Sequence, residues 1–84
     1  MHIPPHHLPP LAEFTDLAGL LPLVQHTFPT VESIRWFCRM HRDKLANAGA
    51  LIAITGRLRF HPERFQQAAA EIGSAAATQA ERGE

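Results

Sequence analysis

Five arginines carry most of the chemistry open to this chain. Arg35, Arg39 and Arg42 follow the spacing i, i+4, i+7, while Arg57 and Arg59 stand two apart just after a Thr-Gly pair. A guanidinium stays charged and presents its donors as a planar fork, so it can grip a phosphate or the edge of a guanine with two hydrogen bonds at once. Helical spacing gathers the first three on one narrow arc, and strand alternation puts the other two on one face. Like charges on one ridge repel by roughly a few tenths of a kcal/mol per pair, a cost an anionic partner removes. The plainer reading is a solvated face. Lys44 extends the basic run, and Thr30 and Ser33 sit where a helix start can offer hydroxyls and backbone N–H groups to phosphate.

Other chemistries lack the groups they need. Cys38 and His41 have no third residue to orient them, and neither a glycine-rich phosphate loop nor paired carboxylates appear, so catalysis is not expected. Of the six histidines, His2, His6 and His7 fall in a prolyl segment that could hold metal only loosely; with Cys38 the one sulfur donor, neither a specific metal site nor a cofactor is expected.

The overall neutrality of the chain conceals a sharp division. Seven of its eight basic residues lie between Arg35 and Arg64, flanked by acidic segments on both sides. Such clustering reads as an electrostatic footprint. A chain of 84 residues, 45% of them apolar, makes one small domain. Its apolar stretches are interrupted at Pro22, Gln25 or Gly56, short of the ~18 to 20 residues a membrane span requires. The opening MHIPPHHLPP lacks the basic start and apolar core of a secretory signal, and a single cysteine cannot form an intramolecular disulfide. A cytoplasmic location is therefore expected.

The elements that must position the arginines follow from local patterns. Residues 1–10, with four prolines, read as a flexible arm, residues 11–73 as the folded domain and residues 74–84 as a disordered tail. In LAEFTDLAGLLPLVQ, Gly19 and Pro22 are expected to divide the chain into short helical pieces, and Leu17, Leu20, Leu21 and Leu23 offer the best self-association surface. Thr30 caps a helix expected from Val31 to Ala46. With about 100° per residue, Val31, Phe37, Cys38, Met40 and His41 flank Ile34 in its core stripe. Trp36 lies nearly opposite Ile34, either packing on the hairpin or N-terminal helix or contacting a DNA sugar or a neighbouring protomer.

Gly49 ends that helix as a left-handed cap. The stretch ALIAITGRLRF then predicts two antiparallel strands joined at Thr55-Gly56, with Ile52, Ile54, Leu58 and Phe60 on the core face and Arg57 and Arg59 projecting from the opposite one. Pro62 opens a last helix whose buried stripe is Phe65, Ala69 and Ile72. The fold class expected is mainly α with a small β-hairpin, a winged helix-turn-helix.

Residues 28 to 65, FPTVESIRWFCRMHRDKLANAGALIAITGRLRFHPERF, resemble the small excisionase and AlpA-type phage regulators, whose domains are related to the DNA-binding domain of MerR regulators. The similarity rests on Thr30, Arg35-Trp36, Ala48-Gly49-Ala50, Gly56-Arg57 and Glu63-Phe65; the chain departs at Asp43-Lys44-Leu45, where the family often has Asn-Gly. The resemblance implies a DNA-binding protein of a mobile genetic element. It would act as an excisionase that directs an integrase by bending DNA, or as a transcriptional regulator. Double-stranded DNA is then the partner of Thr30, Ser33, Arg35, Arg39, Arg42, Lys44, Arg57 and Arg59, with self-association on repeated or palindromic sites. The alternative from another class is a protein-interaction module whose arginine ridge binds an acidic protein.

Overall fold

The computed structural model describes residues 8–82; the arm expected at residues 1–10 lies mostly outside them, as do His2, His6 and His7. The chain is mainly helical with one small antiparallel hairpin, an arrangement compatible with a winged helix. A single 3-10 turn at Leu11–Glu13 leads to Thr15, which exchanges two backbone hydrogen bonds of 2.8 Å with Phe60. Asp16 then caps α1 (Leu17–Val24), its Oδ1 accepting from the Gly19 N–H at 2.9 Å.

Gly19 and Pro22 do not divide this helix as expected. Gly19 sits where a Cβ would collide with the Thr15 side chain, so its place is set by close approach. Pro22 and Ala18 are both exposed, and water can serve the Ala18 carbonyl that proline leaves without a donor. Leu20 is fully buried and Leu17 and Leu21 pack on the core, so the proposed self-association surface is spent inside the domain, with Leu23 alone of the four largely exposed.

The helix α2 (Val31–Met40) starts at Thr30 with a reciprocal capping box, the Ser33 N–H donating to Thr30 Oγ1 at 3.1 Å and the Thr30 N–H to Ser33 Oγ at 3.2 Å. It is shorter than the sequence pattern suggested. His41, with φ −128° and ψ 32°, breaks the helix before α3 (Arg42–Asn47). The ring of His41 packs on Phe37, tilted by 51° with centroids 4.7 Å apart, and the bend lets α3 bury Leu45. Met40, expected in the core stripe, is 58% exposed. A Schellman motif ends α3: the Ala50 N–H reaches Leu45 O at 2.9 Å and the Gly49 N–H reaches Ala46 O at 3.0 Å, with Gly49 at φ 73°.

The strands β1 (Leu51–Ile54) and β2 (Arg57–Phe60) pair so that Leu51 faces Phe60, Ile52 faces Arg59, Ala53 faces Leu58 and Ile54 faces Arg57. Directly opposed residues share a face, so this register corrects the expected one. The core side is Leu51, Ala53, Leu58 and Phe60; Ile52 and Ile54 lie on the arginine side. Thr55 and Gly56 both have positive φ, 49° and 77°, as a type I′ turn demands. A β-branched residue is strained there. Thr55→Asn should therefore raise stability by about 0.5 to 1 kcal/mol, read as a higher thermal midpoint.

His61 joins the hairpin to α4 (Pro62–Arg82). Its Nδ1 accepts from the Arg64 N–H at 3.2 Å, which places the ring proton on Nε2, 3.0 Å from Glu13 Oε1. One buried imidazole thus caps a helix and ties down the N-terminal segment. Phe65, fully buried, lies against Phe28, Phe37 and Phe60 with ring centroids 5.5, 6.1 and 6.2 Å away. Leu20, Val24, Ile34, Cys38, Leu45 and Ile72 belong to the same core, together with Ala50, Leu51 and Ala68. Beyond Ile72, helical geometry continues through Gly73 to Arg82, where a tail was expected. Residues 73–79 are exposed and alanine, the best helix former, is the commonest residue of the stretch, so local propensity accounts for it.

Candidate nucleic-acid interface

Arg35, Arg39, Arg42 and Arg57 line one open groove of about 470 Å³ between α2, the start of α3 and the hairpin. Three separate elements supply these four cations. The break at His41 moves Arg42 onto α3 without taking it from the groove. Leu17, Cys38, Leu58 and Phe60 form its apolar lining, and Asp16, the cap of α1, is the acid that joins them. Guanidinium groups above a low-dielectric wall focus a positive potential into the cleft.

The remaining candidates are placed differently. Arg35 pairs with Glu32 at 3.2 Å, but the side chains are 58% and 79% exposed, so the pair contributes little to stability and leaves the guanidinium available to a stronger anion. The hydroxyls of Thr30 and Ser33 are engaged in the capping box, Ser33 Oγ also donating to Thr30 O at 2.6 Å. What this helix start offers an anion is then chiefly its first-turn N–H groups. Arg59 is exposed opposite Ile52, and Lys44 lies between Arg42 on one side and Glu71 on the other; both stand outside the four-arginine groove. Arg64, part of the basic cluster in the sequence, is half-buried where a Cβ on Gly49 would strike it, so it packs within the fold.

Trp36 and Met40 are each 58% exposed, one helical turn apart on α2. The Trp36 position fits its place opposite Ile34. Met40 was missed because the core stripe was drawn too wide: about 120° separates it from Ile34. Asp16 was also missed, as its pattern in the sequence is only that of a helix cap.

Burial pushes the Cys38 thiol up from 9.0 to about 11, with the nearby Arg42 guanidinium pulling the other way. The thiol is inert at neutral pH. Because its folded value is raised, folding holds the proton more tightly than the unfolded chain does. This contribution to stability is complete below about pH 9 and is lost as pH rises through about 11. Alkylation of Cys38 near pH 7 should accordingly be slow in the folded protein and rapid in urea; equal rates would show an accessible thiolate.

Among the described residues no three His, Cys, Asp or Glu side chains come together as metal ligands, and no helix is long and apolar enough to cross a membrane. No family model, curated protein or solved structure matches the chain.

Proposed function

We propose that the protein is a sequence-specific, double-stranded DNA-binding protein of the winged helix-turn-helix kind. The observation that carries this reading is the convergence of Arg35, Arg39, Arg42 and Arg57 from three elements on one groove. A helix about 10 to 12 Å across fits a major groove about 12 Å wide, and the hairpin beside it can follow the adjacent backbone. The ten residues of α2, capped at Thr30, supply that helix. The role follows the resemblance to excisionase and AlpA-type regulators: control of recombination with an integrase, or of transcription, in a mobile genetic element. Neither role needs catalysis by this chain.

One such domain reads only a few base pairs, so useful specificity calls for several copies side by side on repeated or palindromic sites. Selection of bound duplexes from a random pool, followed by footprinting, tests the proposal. A shared motif, protected in adjacent blocks, is the expected result. A pool that shows no enrichment, together with capture of an acidic protein by the arginine groove, would favour the interaction-module reading.

A further inference from the structure

Trp36 and Met40 present an apolar pair on the outermost face of a helix whose neighbouring arc is cationic. From buried Ile34, at about 100° per residue, Arg35 and Arg39 lie near 100° and 140°, Trp36 near 200° and Met40 near 240°. The arginines face the hairpin and the groove; the tryptophan and methionine face outward. If α2 enters the major groove, as the proposed function requires, the flank lined by arginines meets a phosphate strand and the outward face meets base edges. Only one base edge there is apolar, the C5-methyl of thymine.

We infer that Trp36 and Met40 read thymine methyl groups in the major groove, with Arg35, Arg42 and Arg57 holding the adjacent backbone and Arg39 placed between backbone and bases. Charge complementarity selects this occupant over a second copy of the chain. A self-complementary contact through the pair would set Arg35 and Arg39 close to their own counterparts. Two side chains also fall well short of the roughly 800 Å² per partner of a stable interface.

The test compares a selected duplex with the same duplex carrying deoxyuridine for every thymidine in the footprint, which removes the methyl and keeps base pairing. The parent protein should lose affinity by about fourfold for each methyl the pair covers, the ratio matching about 0.8 kcal/mol per buried carbon. The double variant Trp36→Ala, Met40→Ala should bind the thymidine duplex more weakly and no longer distinguish the two. Both side chains are exposed, so its thermal midpoint should stay near that of the parent, and the deoxyuridine comparison on the parent stands without any variant. Equal binding of both duplexes by the parent, or a thymine preference that survives in the double variant, overturns the inference while leaving DNA binding intact. A parent that binds no duplex overturns both. Free protein that sediments as a dimer, made monomeric by the double substitution with no change in DNA affinity, would assign the pair to self-association instead.

Discussion

Arg39→Ala should lower affinity for a selected duplex by about 1 to 3 kcal/mol and relax preference at one or two base pairs, the loss expected of a guanidinium that contacts a base edge. Arg39 stands on α2 between the cationic groove and the outward Trp36, within reach of both backbone and bases. Arg35→Ala should weaken selected and scrambled duplexes in equal proportion, because a residue near the helix start approaches phosphate and phosphate carries no sequence information. On the hairpin, Arg57→Ala should cost more than Arg59→Ala, since only Arg57 reaches the groove. Titrations of these variants against selected and scrambled duplexes at one salt concentration decide the matter. Were Arg59→Ala the costlier of the two, the contact surface on the hairpin would lie outside the four-arginine groove.

Phe65→Ala should destabilise the domain by about 3 to 5 kcal/mol, against a total of about 5 to 15 kcal/mol for a typical domain. Its ring is fully buried and touches Phe28 from the turn, Phe37 from α2 and Phe60 from β2, so the cavity left by its removal borders three elements at once. Such a void does not collapse easily. Urea unfolding should show a much lower midpoint, and DNA binding should fail with the fold. A midpoint like the parent's would mean that the aromatic cluster does not anchor α4.

Much of this architecture is written in local residue chemistry. Thr30 with Ser33 three residues on, Gly49 after a helix, Thr55-Gly56 between apolar alternations and Pro62 at a helix start each act within a few residues, and each appears in the structure in that role. What escaped was decided by longer contacts. The break at His41 goes with its packing on Phe37 and with the burial of Leu45, which no periodicity in Val31 to Ala46 reveals. The bridge from Thr15 to Phe60 and the His61–Glu13 pair join residues more than forty positions apart. The hairpin faces were a different case: a two-residue turn pairs Ile54 with Arg57, and that pairing alone puts Ile52 and Ile54 on the arginine side.

The candidate site was partly legible for the same reason. Helical spacing placed Arg35 and Arg39 together, but only the tertiary fold brings Arg57 to them and leaves Arg59, Lys44 and Arg64 elsewhere.

The claim that the groove holds a nucleic-acid backbone is tested most directly by the salt dependence of duplex affinity. Each neutralised phosphate contributes a slope of about −0.9 to log K against log salt, so Arg35, Arg42 and Arg57 on the backbone predict a slope of about −3, reduced by about one unit in Arg57→Ala. An affinity independent of salt, or a slope unchanged by that substitution, would contradict the account.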